Sequence, residues 1–213
     1  MPRRKDGLKT REAILASAAK CFAKNGYKNT TNAMIGAECG GANSALISYY
    51  FGDKASLYAA AWEYAHSQAM QRYPLLGSLD ASAPAVKKLF AIIDSDIRRR
   101  SDSANYENDI MLNELSGPTG ILTDVHEKSL STLRSALREV TEEILGDAVS
   151  LETKRLAVLS IFALCMVPVR RIQSLEGNAA YTFPVEERIE HVYRFAMAGL
   201  IDVLNQEKEH NFR

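Results

Sequence analysis

Almost every long segment of this chain spaces its apolar residues at the period of an α-helix, and no run alternates at the period of two that a half-buried strand needs. That property points to an all-α fold before any motif is read. Composition only adds bounds. The 213 residues are 46% hydrophobic and 24% charged, which suits a globular chain and not a disordered one. The length gives room for one large domain or two small ones. The longest apolar stretch, Val158 to Val169 broken by Ser160, is about half of a membrane span. Pro2-Arg3-Arg4-Lys5-Asp6-Gly7 runs straight into an amphipathic segment and not into the apolar core of a secretion leader. A soluble, cytoplasmic protein is expected. Cys21, Cys39 and Cys165 lie far apart with no C-x-x-C pair, so they are read as small apolar fillers and not as a disulfide or zinc framework.

Breaks in the pattern divide the chain into about nine helices. The first is expected after Thr10, with Ile14, Leu15, Ala18, Ala19 and Phe22 inward, and it stops at Asn25-Gly26. Thr30-Thr31 opens a second, which ends at Cys39-Gly40-Gly41. A third covers Asn43 to Tyr50. Gly52 breaks it, and Asp53 caps a fourth running from Lys54 to Tyr73. Later helices are expected over 84–101, 104–115, 119–145, 151–174 and 185–207, with Pro84, Pro118 and Pro184 at starts. Pro168 would kink the fourth of these by depriving the Leu164 carbonyl of its partner. The expected domains are 1–54, linked through helix 54–73 to a larger unit over 74–213.

Charge separates the same two regions. Residues 1–54 hold nine Lys and Arg against four acids, while the rest hold 17 bases against 22 acids. A basic head on an acidic body suggests an anion-binding end. Three short helices with a glycine turn between the second and third have the layout of a helix-turn-helix. Leu15, Phe22, Ile35, Leu46 and Phe51 would make its core. Asn43, Ser44, Ser48 and Tyr50 would then point outward, where Asn and Ser suit base edges and Ala45 suits a thymine methyl. Thr31, Tyr49 and Lys54 are suited to phosphate oxygens, and Arg3, Arg4, Lys5 and Lys9 to a flexible electrostatic arm.

The run Arg11-x-x-Ile14-Leu15-x-x-Ala18-x-x-x-Phe22-x-x-x-Gly26-Tyr27-x-x-Thr30-Thr31-x-x-x-Ile35, then Gly40, then Tyr49-Tyr50-Phe51-Gly52-Asp53-Lys54-x-x-Leu57, resembles the DNA-binding head of TetR-family transcriptional regulators. The resemblance implies a homodimer on a near-palindromic operator, usually a repressor, released when a small molecule binds the body. One departure stands out: the chain has one residue more between Gly40 and Tyr49 than the family's usual turn and recognition helix. Placed in the turn, it gives Asn43 the Asn position of some members; Tyr50 stands where many carry His. Leu112-Asn113-Glu114-Leu115-x-x-Pro118-Thr119 is similar to a ligand-domain type found with Tyr-Tyr-Phe-Gly heads.

Trp62, His66 and Met70 recur every four residues and are candidates for an effector pocket, with Met111, Glu114, Phe162, Met166 and Arg170. The same stripe equally suits plain core. For dimerisation, Ile189, Tyr193, Ala196 and Leu200 form a stripe that small residues let approach closely, and Leu159 and Ala163 offer a matching face. These stripes could also be satisfied within one subunit. A helical metalloenzyme is the alternative from another class, since Glu63-x-x-His66 and Glu207-x-x-His210 have di-iron ligand spacing. Only Glu114 is available as a further inward glutamate, and no nucleophile elbow or phosphate loop exists, so no enzyme, metal or cofactor is expected. A helical ligand-binding protein without DNA binding is the second alternative.

Overall fold

Gly26 sets the length of the first helix. Helix α1 (Arg4–Asn29) holds regular geometry until that residue, where φ of 72° and ψ of 173° leave the helical region. A left-handed φ of this kind favours glycine. The computed structural model describes residues 4–166 and 183–211. Helix α1 begins six residues before the expected Thr10 start, so Lys9 sits on a helix and not in a flexible arm. The early turns have a packing partner, because Gly7 brings the backbone beside the Tyr50 hydroxyl. Arg3 lies outside the described residues.

Eight more helices follow among the described residues, with no strand: α2 (Asn32–Glu38), α3 (Ser44–Phe51), α4 (Lys54–Arg72), α5 (Ala85–Ser101), α6 (Tyr106–Ser116), α7 (Thr123–Leu145), α8 (Leu151–Met166) and α9 (Val185–Asn211). Most starts carry the caps their sequences promise. Asp53 Oδ1 accepts from Ser56 N at 2.7 Å, and Asn105 Oδ1 accepts from Glu107 N at 3.1 Å. Helix α7 starts later than its sequence suggests, at Thr123 and not after Pro118. Glu114 Oε1 captures the backbone N–H groups of Thr119 and Gly120 at 2.7 and 3.1 Å, and Gly120 takes φ of 77°. Those residues therefore form a loop around a carboxylate. The expected kink at Pro168 lies outside the described residues.

The chain divides into two compact units. The first comprises Met1–Arg72 with Ser103–Lys128, and the second Tyr73–Asp102 with Ser129–Arg213. In the first, α6 packs along α1 and α4. Its core joins Ile14, Phe22, Ile35, Ile47, Leu57, Tyr58, Trp62 and Ile110. Each large side chain so buried contributes about 1.5–3 kcal/mol. The second unit packs Leu89, Ile92, Ile93 and Ile97 of α5 with Leu133 and Leu137 of α7, Ile161 of α8 and Ile189, Val192, Ala196 and Leu200 of α9. Within it Asp96 is fully buried and accepts from Arg99 Nη2 at 2.9 Å and Arg100 Nε at 2.7 Å.

Candidate nucleic-acid interface

A recognition helix has to be held from behind, and here the support begins with a hydroxyl. Thr30 is fully buried, and its Oγ1 lies 2.8 Å from the Gly26 carbonyl and 3.1 Å from that of Cys21. This fixes the exit from α1. Thr31 then caps α2, its Oγ1 accepting from Met34 N at 3.2 Å. Ile35 anchors α2 in the core, and Gly36 follows on the face turned to the next segment. A Cβ at Gly36 would lie 2.0 Å from the Ala42 carbonyl oxygen, so the turn folds directly onto α2. Gly40 and Gly41 (φ 74° and 101°) let the chain return, and Gly41 N donates to the Gly36 carbonyl at 2.8 Å.

Asn43 caps α3, its Oδ1 accepting from Leu46 N at 2.8 Å. That start sets the register. Ile47 and Phe51, four apart, turn inward and are buried, whereas Leu46 is only half-buried. The anchor is therefore Ile47, in place of the expected Leu46. Ser44, Ala45, Ser48 and Tyr49 come to the opposite side, and all four are exposed, Tyr49 by 81%. Asn43 is exposed too, with its side-chain oxygen engaged in the cap. Tyr50 differs from the outward expectation: it is half-buried and folds back toward Gly7. Phe51 carries the Arg11 guanidinium 5.0 Å above its ring. Lys54 is half-buried, its ammonium 4.6 Å from the centre of the Tyr27 ring and 3.4 Å from the Lys28 carbonyl.

The arrangement is a short helix with an uncharged face of hydroxyls and a methyl, in a unit whose exposed cations include Lys9, Arg11, Lys24 and Lys28. Chemically it can donate and accept hydrogen bonds at a groove floor while cations address an anionic backbone.

The remaining expected site residues divide differently. Trp62 is buried and stacks on His66 with ring centres 5.0 Å apart. Its Nε1 has no hydrogen-bond partner among the described residues. His66 Nδ1 lies 3.0 Å from Glu107 Oε1, an acceptor that places the ring proton on Nδ1. Met70 is half-buried and Met111 belongs to the core. Glu114 is occupied from within: besides its loop contacts it accepts from the Tyr58 hydroxyl at 3.1 Å and from Thr119 Oγ1. Burial, then Glu114, pushes the Tyr58 phenol well above its ordinary value. Phe162 and Met166 are half-buried in the second unit, and Arg170 lies outside the described residues.

Of the expected dimer residues, Ile189, Ala196 and Leu200 are buried in the core of their own unit, which consumes the stripe they form. Tyr193 is half-buried against Phe90, whereas Leu159 (61%) and Ala163 are exposed. The open apolar surface of α9 is a neighbouring strip with Phe195 (62%) and Ile201 (51%), residues the sequence reading did not single out. Among the described residues no group of three or more His, Cys, Asp or Glu is placed to hold a metal. No described helix is long and apolar enough to cross a membrane.

Comparison with known proteins agrees with the all-helical fold. Residues 14–61 match the family described as bacterial regulatory proteins, tetR family. Residues 85–200 match the family described as HTH-type transcriptional dual regulator CecR, C-terminal domain. A transcriptional regulator from Rhodococcus sp. RHA1 is similar in structure with TM-score 0.66 and 16% identity, over 92% of this chain and 96% of that one. A TetR transcriptional regulator from Chloroflexus aurantiacus J-10-fl gives TM-score 0.67 and 20% identity, over 91% and 96%. At such identities the likeness establishes the fold. No curated protein matches in sequence. With a matched N-terminal helix-turn-helix and more than half its length in a matched C-terminal domain, the chain belongs to the TetR family of bacterial regulatory proteins and is a DNA-binding transcriptional regulator, not an enzyme.

Proposed function

We propose that this regulator is a cytoplasmic homodimer that represses by occupying a near-palindromic operator and lets go when a small molecule binds its body. The observation that carries the DNA part is the exposed face of α3, with Ser44, Ala45, Ser48 and Tyr49 outward around an Ile47 anchor. Asn43, Ser44 and Ser48 read base edges and Ala45 a methyl, while Thr31, Tyr49 and Lys54 address phosphates. Pairing through Leu159 and Ala163 of α8 with Phe195 and Ile201 of α9 would cover apolar side chains that otherwise face water. A two-fold protein matches a two-fold site. The effector reading rests on the Trp62–His66–Met70 stripe and Met111. A buried indole N–H without a partner costs stability that an acceptor atom on a ligand would restore.

A gel shift with DNA from immediately upstream of the protein's own gene, at several salt concentrations, tests the DNA reading. The expected result is a discrete complex that weakens steeply with salt. Lys54→Ala should weaken binding to all sequences and lower the salt slope by about one. Loss confined to the cognate operator would remove Lys54 from the phosphate contacts. Because the matched C-terminal family is described as that of a dual regulator, transcription from the same DNA should be read in both directions; activation would overturn the repressor assignment.

A further inference from the structure

We propose that the groove between α7 and α8 binds a small amphipathic anion, a phosphate or carboxylate carrying a short apolar chain. The groove lies wholly within the second unit, is open to solvent along one side, and has a volume of about 350 Å³. Known ligand clefts begin at about 300 Å³. Its walls bring together Arg134 and Arg138 of α7 with Lys154 and Arg155 of α8, and Glu142 is the single acid on the lining. This concentration of positive charge lies in a part of the chain where acids outnumber bases.

The local architecture explains how the cations meet. Helix α7 turns back into α8 through a short link that begins at Gly146, whose φ of 64° permits the reversal. On α7, Leu133, Leu137 and Val140 face the core, and the strip beside them carries Ser131, Arg134, Ser135 and Arg138. On α8, Leu151, Lys154, Arg155 and Val158 recur at one helical face. The fully buried residues of α8, Ile161 and Cys165, come only in its second half; in the first half Ala157 and Val158 pack partly buried against the core, and Leu151 and Arg155 stay exposed along the groove.

Like charges lining a cleft with low-dielectric walls focus a field that recruits counter-ions. Guanidinium forks match the paired oxygens of carboxylate and phosphate, and serine hydroxyls can donate beside them. Leu151 and Val158 supply the apolar contact, so the site favours an anion with a hydrocarbon portion over a bare one. It is separate from the DNA face and does not depend on that reading.

Titration calorimetry on the full chain with octyl phosphate, inorganic phosphate and octanol tests the assignment. Octyl phosphate should bind saturably at one site per chain, at least ten-fold tighter than either control, and weaken as salt is raised. The exposed-residue double variant R138Q/R155Q should lose at least ten-fold in octyl phosphate affinity while keeping its fold and its operator complex. Leu151→Glu, which places a carboxylate at the mouth, should cause the same loss by a separate route. Octyl phosphate binding that both variants leave intact overturns the proposal, as does octanol binding equally well. A change in dimer equilibrium in the variants with no octyl phosphate site in the parent also overturns it, assigning the groove to contact between copies. Loss of the operator complex in the parent protein would instead refute the DNA reading and leave this result standing.

Discussion

Helices α3 and α6 lie in the same unit, and each carries an asparagine beside a second polar group, yet they use them in opposite directions. On α3 the serines at 44 and 48 face outward, and only the Asn43 oxygen is engaged, in a cap. On α6 the polar groups turn inward. Asn113 Nδ2 donates to the carbonyls of Phe22 at 3.2 Å and Ala23 at 2.8 Å, in the last regular turn of α1 before the Gly26 break. Carbonyls at a helix end need such partners. Glu114 holds Tyr58 and the Thr119–Gly120 backbone. Residue type alone therefore does not separate a binding group from a structural one; the difference is whether its hydrogen-bonding capacity is already satisfied within the unit.

The sharpest way to break this contrast is at the support of α3. Gly36→Ala puts a methyl 2.0 Å from a backbone oxygen, and should destabilise the first unit by about 3 kcal/mol and abolish operator binding. Thermal unfolding and a gel shift read both effects. Next, Asn113→Ala should cost about 2 kcal/mol, because it strips two carbonyls of their outside donor. A loss below about 0.5 kcal/mol, the size expected of an ordinary surface change, would erase the distinction between the two helices.

On α3 the expected stability effects are smaller and the binding effects larger. Asn43→Ala should cost about 1 kcal/mol through the lost cap, while Asn43→Ser keeps a capping oxygen and should change operator preference with little loss of stability. Ser48→Ala should shift operator ranking at unchanged stability; the same ranking in both variants would refute this register. The mildest effect is at alkaline pH. Burial pushes the Cys165 thiol up to about 12 and holds the Tyr58 phenol above its ordinary value, so both stay neutral when folded. Unfolded, they ionise near their ordinary values of 9.0 and 10.0. Their contribution is complete below pH 9 and declines as pH rises past those values. Tyr58→Phe should remove its share of that alkaline loss in a pH series of unfolding midpoints.

The helical class, the turn glycines and the outward serines of α3 were legible because they rest on local signals: period, positive-φ residues and caps. Ile47 was missed by one position, since the inward face depends on which residue caps the helix, and a cap at Asn43 fixes it only once the longer turn is placed. The early start of α1 depended on Tyr50 packing near Gly7, far along the chain. The role of Asn113 was out of reach for the same reason, as its partners lie about ninety residues away and are main-chain atoms that leave no mark in the sequence; Glu114 has one such distant partner, Tyr58, beside its local loop contacts. For α9 the stripe was correctly seen as apolar, but sequence could not tell a face used inside the unit from the adjacent one bearing Phe195 and Ile201.

The grip of Asn113 on the end of α1 has a practical consequence for chimeras. A transplant of the N-terminal segment cut after α4 would leave behind the side chain that ties down Phe22 and Ala23, along with the helix that covers α1. Exchanging operator specificity between relatives would then need two splices, carrying residues 103–128 together with 4–72, so that donor and acceptor travel as a matched set.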